Sequence, residues 1–290
     1  MIVAGDLPEG RARDALQRFE LREIRGVGKP FEAAWGALQA YFGPRGEIER
    51  RAVIERWLRQ REKREMPCRV RYHLIAAYER ATGALAGARD LWVIADEDAG
   101  VCVVYLAHSL VLPEFRRNGL ADLLREVAVP LGRAMAPRGE LILATEQEPA
   151  DPATIDTVVR LVSYGKAGFA AIPPEVLPYC QPDFRDPVEI GRTARPVPLL
   201  AVIRRVGHEG EPTLPLRLAA AFVDHLYTVF ASHCRPLDLV EPLEVAYAAL
   251  DEADDPVTLL PLPASTFDGE ALAPLAKDGF YPHFPAIWRP

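Results

Sequence analysis
Apolar side chains three or four positions apart, Phe31, Trp35, Leu38 and Phe42, predict an amphipathic helix over 31–42 that Gly43, Pro44 and Gly46 break. Just before it, Phe19, Leu21 and Ile24 read as a short strand over 19–25, closed by Gly26. A second helix is expected over 47–64, with Ile48, Ile54, Trp57 and Leu58 on its apolar side and a solvated Glu/Arg face opposite. The texture then changes to strands over 69–79, 84–95 and 101–112, turned by Thr82-Gly83 and by the hairpin break from Asp96 to Gly100. Val101 to Leu106 is nearly all apolar, as suits a central strand buried on both faces, and Pro113 ends the run because it cannot donate to a ladder. A helix follows over 119–135, on a stripe of Leu120, Leu123, Leu124, Val127 and Leu131. A strand over 141–145 comes next, then a helix capped by Asp151 and Pro152 that runs to Lys166 and stops at Gly168.

Beyond Phe169 the prolines at 173, 174, 178, 182 and 187 mark connecting structure with short strands. A strand over 199–205, a helix over 216–232, a strand over 257–262 and a short helix over 269–278, ended by Gly279, complete the pattern. Lys166-Ala167-Gly168-Phe169 recurs as Lys277-Asp278-Gly279-Phe280, each after a strand and a helix. A degenerate copy of half the first domain and coincidence in a Gly- and Pro-rich chain account for this echo equally well.

A chain of 290 residues suits one large domain or two modest ones, and 49% apolar residues exclude wholesale disorder. Lys and Arg number 34 against 41 Asp and Glu, and the net charge of −7 disfavours nucleic acid while welcoming a cationic substrate. No apolar run approaches the roughly 18 residues of a membrane span. The opening residues to Arg11, with Asp6 and Glu9, do not read as a secretory signal. Cys68, Cys102, Cys180 and Cys234 lie far apart without C-x-x-C spacing, which points to reduced thiols and a cytoplasmic protein.

The segment from Ser109 to Ala121 carries the most chemistry, because it joins the buried strand directly to a helix start. Helix starts expose main-chain N–H donors and the positive end of the dipole, and so hold anions. Gly119 lets a phosphate approach the backbone, Ala121 is nearly as small, and Arg116 and Arg117 add charge. Arg116-x-x-Gly119-x-Ala121, after a strand ending in hydrophobic-x-Pro, resembles motif A (Q/R-x-x-G-x-G/A) of the GNAT superfamily of acyl-CoA-dependent N-acyltransferases. The order of elements over residues 19–206 is similar too.

The resemblance implies an α/β (α+β) fold with a mixed, mainly antiparallel central sheet flanked by helices over 1–206. A second, smaller α/β lobe over 207–290 would be a degenerate half of the same fold that shapes the acceptor pocket or a homodimer contact. It also implies acetyl-CoA as cosubstrate, no metal, and a primary amine acceptor, either a small molecule or a protein amine. Amides of Arg117, Asn118, Gly119, Leu120 and Ala121, beside Arg116, would bind the pyrophosphate. Backbone groups of Leu110, Val111 and Leu112 would pair with the pantetheine arm.

Tyr164-Gly165-Lys166-Ala167-Gly168-Phe169 matches the family's Y-x-K-x-G-F helix end, which casts Tyr164 as the acid that protonates the departing thiolate. The Asn that the family carries two turns earlier is Thr157 here. His108, Glu146, Glu148 and Glu79 are the candidates for general base, with a water chain as the alternative. An inactive acyl-CoA sensor or scaffold is the rival reading.

Other signatures are absent. Gly26-Val27-Gly28-Lys29 runs into Pro30 and lacks P-loop spacing, and the six histidines show no tight metal spacing. His225 and His233 are eight apart on one expected helix, a surface or interface pair. Arg204-x-x-Gly207 has Glu209 where motif A needs a small residue, so the last third is not expected to bind coenzyme.

Overall fold
The structure, a computed structural model, describes residues 7, 10–60, 68–184, 188 and 195–289, and the main chain of 62–65. Asp6, Glu9 and Pro187, which enter the sequence reading, lie outside the described residues. The chain forms two compact units, Met1–Leu141 with Phe184–Asp186 and Ile142–Asp183 with Pro187–Pro290.

The first unit holds α1 (Arg11–Arg18), β1 (Phe19–Ile24), α2 (Lys29–Phe42), α3 (Arg51–Gln60), β2 (Glu62–Glu65), β3 (Cys68–Glu79), β4 (Leu85–Asp96), β5 (Val101–Tyr105), β6 (Ser109–Val111), α4 (Leu120–Glu126) and α5 (Ala128–Met135). Its ladders are antiparallel. β3 pairs with β4 along most of its length and with β1 over its second half, β2 pairs with its first residues, and β4 carries β5 on one half and β6 on the other. Alternation places Trp92 and Tyr105 on one face and Val93 and Val104 on the other. Trp57 of α3 packs on Tyr72 and Trp92, while α5 brings Gly132 against the Val104 side chain. Helices therefore cover both faces of a mainly antiparallel sheet, the class expected from the sequence.

Several elements differ from expectation for identifiable reasons. The helix over 47–64 is only α3, because the chain turns to pair Glu62–Glu65 with β3, and sheet pairing overrides local propensity. The helix over 119–135 is divided at Val127, since Pro130 has no N–H to offer the carbonyl of Glu126. The strand over 101–112 is interrupted at 106–108. α1 was not foreseen; it buries only the small side chains Ala12 and Ala15, a stripe too weak to read.

The second unit holds β7 (Glu140–Gln147), α6 (Ile155–Gly165), β8 (Ala170–Ala171), β9 (Cys180–Gln181), β10 (Val197–Pro198), β11 (Leu200–Arg205), β12 (Thr213–Leu214), α7 (Leu216–Phe230), α8 (Leu237–Asp251), β13 (Val257–Thr258), β14 (Leu260–Pro261), α9 (Gly269–Leu272) and α10 (Lys277–Phe280). β11 pairs with both β7 and β8, and β14 with β8, so β7 and the segment after it share a ladder with 200–205. The long segment of the first compact unit ends at Leu141, inside β7. The strand expected over 257–262 changes partner at Leu259, with β13 on β12 and β14 on β8. α8 was missed because Pro242 interrupts its pattern. His225 is buried on α7, not at the surface, and His233 lies past the helix end.

The Lys-x-Gly-Phe echo has no common geometry. Gly168 takes φ +79° between α6 and β8, whereas Lys277–Phe280 is itself the helical turn α10. Among the described residues no helix is long and apolar enough to cross a membrane.

In the first unit, His73 Nδ1 lies 2.8 Å from Glu23 Oε1 and holds the Glu23 carboxyl down at about 2, with Arg25 adding to the effect. A carboxyl that ionises more readily folded than unfolded stabilises above its unfolded value, and that contribution is lost as pH falls through the folded one. Stability is therefore expected to decline from about pH 4.5 towards 2. Urea midpoints across this range should show a shallower decline for Glu23→Gln.

Candidate functional site
β4 pairs with β5 up to Trp92↔Tyr105 and with β6 from Arg89↔Ser109. Three steps along β4 thus match four along its neighbour, which is a β-bulge of one residue. Within the bulge, the main-chain N–H of His108 donates to Asp90 Oδ1 at 2.8 Å, while the N–H of Asp90 donates to the His108 carbonyl at 3.1 Å. Leu112 N–H donates to the Ala86 carbonyl at 3.0 Å.

Antiparallel alternation then turns the main-chain groups of Leu110 and Leu112 towards β4 and those of Ser109 and Val111 outward. Of the three residues expected to offer backbone along a strand-like ligand, only Val111 faces that way, and Ser109 joins it. The carbonyl of Val111 takes a long hydrogen bond from Arg116 Nε, 3.3 Å. Among the described residues, nothing else pairs with the outer edge of β6.

Pro113–Phe115 then form a 3-10 turn, and the chain enters α4 through Arg116, Arg117, Asn118 and Gly119. Arg117 and Gly119 both have positive φ, +65° and +74°. The Asn118 side chain ties the loop by donating to the carbonyls of Phe115 and Arg116. Among the described residues, no acceptor is met by the main-chain N–H groups of Arg117, Asn118, Gly119, Leu120, Ala121 and Asp122. Arg116, Arg117, Asn118 and Ala121 are exposed. Gly119 and Leu120 are buried, so the exposed donors are those of Arg117, Asn118 and Ala121 beside the two guanidinium groups, and each N–H bond to a charged acceptor contributes roughly 1.5–3 kcal/mol.

The glycine also meets a steric constraint. A Cβ at Gly119 would lie 2.7 Å from the Arg11 carbonyl and 3.3 Å from Ala15 Cβ. The missing side chain thus admits helix α1 on the inner side of the loop. Arg11 and Arg125 also reach Asp122 in the first turn of α4.

His108 is buried, with Nδ1 3.0 Å from Asp90 Oδ1 and Nε2 2.7 Å from the Glu47 carbonyl. Burial alone would lower its pKa, but the charge and hydrogen bond of Asp90 outweigh that and hold it up at about 10. Both ring nitrogens act as donors in this state, so the side chain has no lone pair for a substrate proton and is a structural cation. Glu49 lies close enough that its carboxylate and those ligand atoms of Asp90 and His108 fall within 4.8 Å of one another. The His108 nitrogens already serve Asp90 and Glu47, so the cluster is a hydrogen-bonded ion pair. Tyr72 Oη donates to the second Asp90 oxygen at 3.0 Å.

The remaining candidates divide by their partners. Glu79 is ion-paired with Arg18 at 2.7 Å and is held below the usual carboxylate range by that contact. Glu148 is bound by Arg160. Glu146 on β7 is half-buried and accepts a hydrogen bond from the fully buried Tyr179 hydroxyl. Tyr164 sits in the last turn of α6, nearly buried, edge-on to Phe169 at 5.0 Å.

Thr157, at the family's Asn position, is consumed by local capping: its hydroxyl donates to the Thr154 carbonyl at 2.9 Å and accepts from Asp151 N–H at 3.0 Å. That helix begins at Ile155, one turn later than expected. The Asp151 carboxylate is taken by Ala153 N–H, Thr154 and Lys277 instead of capping the helix.

No protein-family model matches the sequence, and no curated protein matches it. Among solved structures, the chain is similar to the GCN5-related glucosamine N-acetyltransferase region of a fungal multi-domain GH3 β-N-acetylglucosaminidase. That match has 16% identity over 53% of this chain, spans 17% of the other, and scores TM 0.37. A Bacillus subtilis acetyltransferase in complex with CoA matches at 13% identity over 65% of this chain and 97% of its own, TM-score 0.35. A tandem GNAT protein from the clavulanic acid biosynthesis pathway matches at 20% identity over 60% of this chain and 51% of its own, TM-score 0.38. The first two of these neighbours are named as acetyltransferases. At such scores the likeness decides nothing about activity.

Gly119→Ala should destabilise the protein by at least about 1–2 kcal/mol from the left-handed φ alone, with the Arg11 contact adding to it. Arg117→Gly should instead stabilise it modestly, as the same φ costs glycine nothing. Chemical denaturation of the two variants checks both signs.

Proposed function
We propose that this chain is an acyl-CoA-dependent N-acyltransferase of the GNAT type, moving an acetyl group from acetyl-CoA to a primary amine by direct attack. The observation that carries the reading is the run of main-chain donors from Arg117 to Asp122 that meet no acceptor among the described residues, following in the chain the outer edge of β6, where Arg116 Nε reaches the Val111 carbonyl. A diphosphate with a peptide-like arm is the ligand whose chemistry matches both. The diphosphate takes the loop N–H groups and the Arg116 and Arg117 charges, and the amides of the pantetheine arm pair with Ser109 and Val111 as an added strand would.

A thioester held in this way reacts with a bound amine in an effectively unimolecular step. The amine must lose a proton and the sulfur must gain one. Tyr164 is assigned as the acid for the leaving thiolate. Glu146 is assigned as the base: it is half-buried on β7 and accepts a hydrogen bond from the neutral Tyr179 hydroxyl, whereas His108 donates from both ring nitrogens and Glu79 and Glu148 are ion-paired with arginines. In this reading residues 1–206 form the coenzyme-binding part and 207–290 an accessory lobe. The net charge of −7 supports a cationic acceptor, a small amine or a protein amine, and a cytoplasmic setting fits the four free cysteines.

Acetyl-CoA at a hundred times its Kd should stabilise the protein by about 2.7 kcal/mol, read as a rise in melting temperature. No shift at millimolar coenzyme would sink the proposal. With a panel of amines, Tyr164→Phe should release thiol about a hundred- to ten-thousand-fold more slowly than the parent protein while binding coenzyme equally well. Unchanged release would remove Tyr164 from the mechanism, and binding without turnover by the parent would favour a sensor.

A further inference from the structure
We propose that Asp90 is a positioning residue for coenzyme binding: acting through His108, it fixes the bulge that decides which main-chain groups of β6 face a pantetheine arm. The inference rests on the proposed function and deepens it. A strand has a side-chain and main-chain period of two, so a slip of one residue reverses every group. Without the bulge, the register of β5 would continue into β6, and Leu110 and Leu112 would turn outward in place of Ser109 and Val111.

The extra residue leaves an amide without a ladder partner, and Asp90 supplies one. Its Oδ1 accepts both the main-chain N–H and the ring Nδ1–H of His108, at 2.8 and 3.0 Å. Its Oδ2 accepts the Tyr72 hydroxyl at 3.0 Å, which fixes the carboxylate plane. The far side of the His108 ring donates to the Glu47 carbonyl at 2.7 Å, and its edge meets the Phe42 ring at a centroid distance of 5.0 Å. Four hydrogen bonds, centred on the buried side chains of Asp90, His108 and Tyr72, and a contact with the half-buried Phe42 ring thus converge where β5 gives way to β6 along β4. The Asp90 carboxylate accepts three of the four, and an alanine would accept none.

The test uses the full chain and two probes. Coenzyme A touches loop and strand edge, whereas ADP carries a diphosphate and no pantetheine arm. Asp90→Ala should weaken coenzyme A about ten-fold or more, the loss of about 1.4 kcal/mol, while leaving ADP within two-fold. Asp90→Asn, which keeps an oxygen acceptor for the His108 amide, should recover most of the difference. Equal losses for both probes, or none, would overturn the assignment.

Hydrogen exchange on the unmodified protein gives an independent reading should Asp90→Ala fold poorly. Coenzyme A should newly protect the amides of Ser109 and Val111, with Leu110 and Leu112 protected beforehand. New protection at Leu110 and Leu112 would refute the register. If the unmodified protein binds ADP but not coenzyme A, the positioning role falls with the proposed function. If it binds coenzyme A and Asp90→Ala binds it as tightly, only the positioning role falls.

Discussion
One carboxylate oxygen, Asp90 Oδ1, accepts two N–H groups of a single histidine, and the arrangement of the first unit around its exposed strand edge depends on that contact. Buried ion pairs seldom add much net stability, because desolvation offsets their attraction. Their better-attested effect is to select one arrangement among near equivalents, and a register is such a choice. Here the carboxylate satisfies an amide that the bulge would otherwise leave buried without a partner. The same contact raises the affinity of His108 for its proton, which removes the residue from the set of usable bases. A role in architecture and a loss of catalytic usefulness have one cause.

The loop beyond the strand is built on a comparable economy. Two residues in the left-handed region, one of them an arginine, turn the chain into α4, and Asn118 spans the carbonyls of Phe115 and Arg116. Placing a non-glycine residue at φ +65° costs energy, and local strain of this kind clusters at ligand sites. Arg116 closes back on Val111, so loop and strand edge share a side chain.

Much of this was legible in the sequence. Long strands with clear alternation, β3 and β4, and the helix with apolar residues three or four apart, α2, stand where the pattern puts them. The strand–Pro–turn–helix context of Arg116, Gly119 and Ala121 also located the loop. What escaped was set by contacts remote in sequence. The bulge is invisible in an apolar run, because nothing local tells that His108 will find Asp90 eighteen residues earlier. Gly119 was singled out for phosphate approach, and nothing local signals a further constraint on it, the carbonyl of α1 more than a hundred residues away that leaves no room for a side chain. Pro130 and Pro242 were in plain view, and each altered a helix that periodicity alone would have drawn as continuous or overlooked.

The close seat of α1 behind Gly119 has a bearing on selectivity. α1 leaves no room for the loop to shift inward at Gly119, so on that side its shape is set before any guest arrives. Under the proposed function the loop meets only the portion common to every acyl thioester of the coenzyme. Discrimination between short and long acyl chains then falls to residues away from this turn, and changes in donor preference can evolve without disturbing it.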